Sequence, residues 1–189
     1  MLGSSAQRSG VTLEQRDISA ALPAARFERV ISNSAFNWVE NHRAYLPRVL
    51  DLVAPGGELA VQMPSNPDSA FSRCALEVAA GFQDLLGGYR YRSPVEAPEF
   101  YAELFAREAR VAQSRVGAWY YPQLHDSVAG LVAFAQGGLL SGYRARLGGP
   151  DFERFCAAYR GALERELGAG PVFFAFRRVF LFARVTAAA

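Results

Sequence analysis

Arg178 and Arg184 sit in a run, residues 172–185, that is otherwise dense in Phe and Val. An unpaired guanidinium is expensive to bury, so each needs an anionic partner. The planar fork of arginine suits bidentate carboxylate recognition, and Arg178 therefore either binds a carboxylate ligand or pairs with an internal Glu or Asp. Tyr120 and Tyr121 are adjacent in a β-prone segment, so they should alternate across a strand, with at most one facing a pocket. Ser32, Asn33 and Ser34 form a polar run that closes an apolar stretch, either as a plain turn or as a ligand-facing strand end. Asp17 stands where residues 11–16 must turn. Cys74 and Cys156 lie far apart in helical patterns and form no CxxC, which reads as two buried thiols and no metal site. No His-Asp or Cys-His catalytic constellation is evident.

Several elements must position these groups. Residues 11–16 and 27–32 read as strands that stop abruptly. Tyr45, Leu46, Val49, Leu50, Leu52 and Val53 fall on one broad helical face, broken by Ala54, Pro55, Gly56 and Gly57. Residues 58–63 make a further strand, closed by Pro64. Strand, helix, Pro-Gly-Gly turn and strand is a βαβ crossover, which implies parallel pairing and the α/β class. Helices follow over residues 71–82, capped by Asp68 or Ser69 and with a stop at Gly87 and Gly88, and over residues 98–108. A strand at 115–121 precedes helices opened by Asp126 and Asp151 and a terminal strand at 172–185 with room for a bend near Arg177 and Arg178.

A chain of 189 residues with 51% apolar content suffices for one domain, residues 1–189, and is short for two. The formal charge is +2 with arginines scattered among acids, so the footprint of a nucleic-acid binder is absent. No apolar stretch is long enough to span a membrane, and the first ten residues lack a basic leader and an apolar core, so a cytoplasmic address is the default expectation.

The run FERVISNSAFNWVENHRAYLPRVLDLVAPGGELAVQMPSN, residues 27–66, resembles the centre of the trans-aconitate methyltransferases, including their strand-end Asn and Trp, the following His and the closing QMP-x-N. Phe100 to Phe105 resembles that family's helix before its sixth strand, Tyr120 and Tyr121 its paired tyrosines, and residues 174–184 its terminal strand with two arginines. The resemblance implies a Rossmann-like class I methyltransferase sheet with helical substrate-side insertions, binding S-adenosyl-L-methionine at the carboxyl ends of its central strands. It implies transfer of a methyl group to a carboxylate of a small polycarboxylic acid. Asp17 then resembles the acid that receives the adenine amino group, with the Ile18 backbone nearby, and Ser32, Asn33 and Ser34 lie where the methionyl group and the acceptor meet. Trp38 lines the pocket or packs under the next helix. His42, on the loop after it, contacts a carboxylate substrate or does nothing. Arg178 and Arg184, with Tyr120 or Tyr121, complete the substrate-side set.

Gly3 and Gly10 do not make the glycine-rich turn of such enzymes, and Met1 and Leu2 resemble the start of the helix after the family's second strand. The expectation is an N-terminally incomplete sheet lacking its first two strands, from a late start assignment or a truncated reading frame, with a genuinely shorter protein as the alternative. Such a sheet leaves residues 27–32 with an unpaired edge, which favours self-association. Two further readings stay open: a non-catalytic remnant acting as a binding or oligomerisation module, and a methyltransferase of another small acceptor.

Overall fold

The computed structural model describes residues 10–20 and 22–187, so the reading of Met1, Leu2 and Gly3 lies outside the described residues. Apolar alternation over residues 27–33 forms β1 (Phe27–Asn33), which leads through a 3-10 turn (Phe36–Trp38) into α1 (His42–Leu50) and β2 (Val53–Pro64). β1 and β2 pair in parallel, as the crossover pattern requires. The Pro-Gly-Gly segment does not end the helix; it bulges inside β2. Phe27 pairs with Val53 and Arg29 with Glu58, so the residues between are looped out. Gly57 makes this feasible, since a Cβ there would lie 2.7 Å from the Glu28 carbonyl oxygen.

Beyond Pro64 come α2 (Ala70–Ala80), α3 (Gln83–Leu86) and α4 (Pro98–Arg107). β3 (Val111–His125) follows, then α5 (Val128–Gln136), α6 (Ser141–Arg144), α7 (Gly149–Leu167) and β4 (Val172–Val185). The strand order is β1-β2-β4-β3, with β4 antiparallel to both neighbours. This is the expected α/β sheet with helical insertions.

Several details differ from expectation. No strand forms over residues 11–16, where Val11 and Leu13 are exposed; a strand needs a neighbour for its backbone groups, and among the described residues β1 pairs only with β2. β4 has no register break at Arg177 and Arg178. It gains a second neighbour there instead, pairing with β2 from Arg178 onward while β3 runs beside it along its whole length. Ser127 takes the N-cap place expected of Asp126, and α7 opens at Gly149, before Asp151.

Two apolar clusters flank the point where β2 joins β4. Leu59, Val61 and Met63 of β2 and Val179, Leu181 and Ala183 of β4 pack with α1 and α4. Each large side chain buried there contributes about 1.5–3 kcal/mol. Phe174 and Phe176, at the other end of β4, join α2, α5 and α7, where the buried Tyr159 hydroxyl donates to the Phe71 carbonyl (2.7 Å). The opposite sheet face is open: only strand residues line the depression over it, among them Ile31 (75% exposed), Trp119, Phe180 and Phe182.

Candidate active site

The carboxyl ends of β1 and β2 meet at a polar cluster. After Asn33 the chain turns at Ser34, whose φ of 53° is left-handed. Such a conformation costs a non-glycine residue on the order of 1 kcal/mol and concentrates at functional sites. Ser34 N–H donates to the Gln62 carbonyl (2.9 Å), and its hydroxyl donates to Gln62 Oε1 (3.4 Å). Arg178 Nη1 donates to that same oxygen at 2.5 Å. The guanidinium carbon stands 4.8 Å from the Phe176 ring centroid and 5.6 Å from that of Tyr121, so aromatic faces hold the cation. Among the described residues Arg178 has no carboxylate partner. Gln62, which the sequence reading did not single out, is the central residue, and its one signal was the QMP-x-N ending. Its Nε2 is buried without an acceptor, a condition that costs about 1–3 kcal/mol.

Ser32 is buried with its hydroxyl also unpartnered. It stands opposite Val61 in the register, on the helix-covered face, whereas exposed Asn33 stands opposite Gln62 and lines the open side. The run thus divides between two faces. Asp17 accepts from the Ser19 hydroxyl (2.6 Å) and N–H (2.9 Å), and these bonds hold its carboxyl below its ordinary pKa. The Ile18 carbonyl takes the Tyr45 hydroxyl at 2.6 Å, which fixes this segment against α1.

Two site expectations, for His42 and Arg184, are corrected, and of the two readings of Trp38 one is selected. His42 is not a surface-loop residue; it opens α1, is buried, and has both ring nitrogens engaged, Nδ1 with the Tyr101 hydroxyl (2.6 Å) and Nε2 with the Phe36 carbonyl (2.9 Å). It has no nitrogen left for a substrate. Arg184 is half-exposed and paired with Glu58 at 2.6 Å, toward the amino end of β2, so it is a structural pair remote from the strand-end cluster. Trp38 is 58% exposed and does not pack under α1. The Asn37 amide latches it, donating to the Ser34 carbonyl (3.1 Å) and accepting from Trp38 Nε1 (3.0 Å), and its ring borders a cavity of about 570 Å³. Tyr120 and Tyr121 alternate: Tyr121 lines the open side beside Arg178, and Tyr120 does not.

No family model matches the chain. Trans-aconitate 2-methyltransferase of Deinococcus radiodurans is 36% identical over 186 residues, covering 94% of this chain and 70% of that protein. The chain belongs to the trans-aconitate 2-methyltransferase family. The Azoarcus sp. relative of the same name is 31% identical over 172 residues, covering 89% of this chain and 67% of its own length. Among solved structures, the YcgJ protein from Bacillus subtilis superposes with a TM-score of 0.53 at 12% identity, covering 99% of this chain and 77% of that one. A protein from Bacillus halodurans proposed to be a methyltransferase gives the same TM-score and identity, covering 96% and 74%. These likenesses carry the fold, which is that of the Rossmann-like methyltransferases. Among the described residues the family's glycine-rich turn has no counterpart, as Gly10 stands in a turn without a neighbouring glycine.

Proposed function

We propose that this chain serves transfer of a methyl group from S-adenosyl-L-methionine to a carboxylate of a small polycarboxylic acid, with trans-aconitate as the first acceptor to test. The observation that carries the reading is Arg178, a cation without an acidic partner among the described residues, held by Gln62 and two aromatic rings at the strand ends. The orphaned Gln62 Nε2 beside it supplies a second donor for an anion.

The residues present fit part of the cofactor. Asp17, kept ionised by Ser19, suits an adenine amino group with Ile18 alongside, and Asn33 and Ser34 suit the methionyl end, from which the buried Ser32 hydroxyl is turned away. When bound, the cofactor supplies an electrophilic sulfonium methyl to a carboxylate oxygen and is left as a neutral thioether. The acceptor is already ionised near neutral pH, so the chain needs no strong general base. Its residues contribute alignment, anion binding and exclusion of water, with Arg178 and Gln62 orienting the acceptor while Tyr121 and Phe176 keep the cation in place. An ester-product assay with trans-aconitate tests this. Arg178→Gln should lower kcat/KM by roughly tenfold to a hundredfold, the usual worth of a charged hydrogen bond. Unchanged turnover in that variant overturns the assignment of Arg178.

A second reading has its own observation: the edge of β1, unpaired among the described residues and with Ile31 exposed, suits self-association through the sheet. Sedimentation across a dilution series tests it, and a monomer at every concentration rejects it.

A further inference from the structure

The cavity beside Trp38 is distinct from the strand-end cluster. It lies between the Asn37–Trp38 turn, the start of α2, the segment around residues 91–95 and the end of α5, with Phe176 common to both places. Its volume, about 570 Å³, falls in the range of small-molecule pockets. Trp38, Phe71, Phe134 and Phe176 give it aromatic walls, and the exposed Arg92 lines it from a loop.

That loop is held in place. Tyr91 N–H donates to the Tyr143 hydroxyl (3.2 Å), Val95 N–H to Ser93 Oγ (3.2 Å) and Glu96 N–H to the Tyr101 hydroxyl (3.0 Å). The Arg92 side chain is therefore presented by a pinned backbone, which lowers the ordering cost of binding. It makes no ion pair or hydrogen bond with any described residue. Independently, Ser72 is more than nine-tenths buried (7% exposed), lines the cavity, and has no hydrogen-bond partner for its hydroxyl among the described residues.

A cation, an unpartnered hydroxyl and aromatic walls together select a flat, unsaturated anion. We infer that this cavity receives the carboxylates of the acceptor that are not methylated, with Arg92 and Ser72 binding them and Trp38 stacking on the planar carbon chain. Arg178, across Phe176, then holds the reacting end. Arg92 is a specificity-determining residue in this arrangement. The inference deepens the proposed function and rests on it for the identity of the acid, while the binding itself is read separately from turnover.

The chain has two tryptophans, Trp38 and Trp119, so a Trp119→Phe background leaves Trp38 as the reporter. In that background, titration with trans-aconitate should change Trp38 emission. Crotonate, a monocarboxylate of similar unsaturation, should bind at least roughly tenfold more weakly, since it lacks the extra charge-assisted bonds. Arg92→Gln should weaken trans-aconitate binding by about tenfold to a hundredfold, Ser72→Ala by a few-fold, and Arg115→Gln, on the open sheet face, not at all. In the ester assay Arg92→Gln should raise KM while kcat holds. Binding that depends on Arg92 without ester formation supports the cavity assignment and rejects methyl transfer. Ester formation with the KM of Arg92→Gln unchanged overturns the cavity assignment and leaves methyl transfer standing. Absence of both binding and ester overturns the two together.

Discussion

Replacing Tyr101 by Phe removes one oxygen from a fully buried position between α1 and α4. That oxygen donates to His42 Nδ1 (2.6 Å) and accepts from the Glu96 N–H (3.0 Å). The ring stays, so little packing is lost, and the cost comes from the partners left behind. The Glu96 amide can recover part of its loss from water, because Glu96 is exposed. His42 is 3% exposed and cannot, so its ring nitrogen bears most of a desolvation penalty of about 1–3 kcal/mol. With the weaker amide term the variant should lose about 2–3 kcal/mol, read as a lower urea midpoint at constant m, and should melt some 4–12 °C lower for a chain of this size. The effect should extend to the site, because His42 Nε2 bonds the Phe36 carbonyl and so steadies the turn that carries Trp38. Trp38 emission in a Trp119→Phe background should shift before global unfolding. A double-mutant cycle with His42→Leu should give a coupling of at least about 0.5 kcal/mol. A loss below about 0.5 kcal/mol, or one unchanged when His42 is absent, would refute the reasoning.

Gly57→Ala should cost about 1–3 kcal/mol and loosen the start of β1, since the new methyl would meet backbone carbonyl oxygens of Glu28 and Ala54 at 2.7 and 2.9 Å; amide exchange over residues 27–30 measures it. Glu108 is held below the ordinary carboxylate pKa chiefly by its two hydrogen bonds from Arg110, each 2.9 Å. Its depressed folded pKa contributes stability that is complete above the unfolded value and is lost as pH falls through the folded one. Acid titration of Glu108→Gln should accordingly show a shallower loss of stability across that window. Burial and the neighbouring Glu166 push the Cys74 thiol up to about 11, so alkylation at pH 8 should be slow until denaturant is added.

Much of the fold was legible because its signals are local. Apolar alternation ending in a polar run gave β1, and an apolar helical face ahead of Pro-Gly-Gly gave the crossover. Whether a strand exists, however, depends on neighbours as well as on its own side chains, and residues 11–16 have the pattern without a partner. The bulge in β2 was hidden for a related reason: Pro55, Gly56 and Gly57 read as a terminator unless the approach to Glu28 is known. At the site, residue type located the strand-end cluster, but pairing decided roles. Arg178 and Arg184 look alike in sequence, and only the register places Glu58 opposite Arg184 and Pro64, two residues beyond Gln62, opposite Arg178. His42 was misplaced because Tyr101, which buries and bonds it, lies far along the chain.

β4, paired with β3 throughout, packs Phe174 and Phe176 into the helical cluster and, two residues after Phe176, takes β2 as a second neighbour at Arg178. An extended strand rises about 3.3 Å per residue and scarcely stretches. The spacing between the aromatic wall of the acceptor cavity and the cation at the strand ends is thus a fixed bond-length matter, further locked where the Asn66 side chain pairs with the Arg177 backbone at 2.7 and 3.2 Å. β4 keeps its register with β3 across this stretch, so there is no hinge about which the one could swing over the other. Acceptor preference in this chain must be altered by exchanging the side chains around the cavity, because the ruler that sets its depth is the backbone of a single strand.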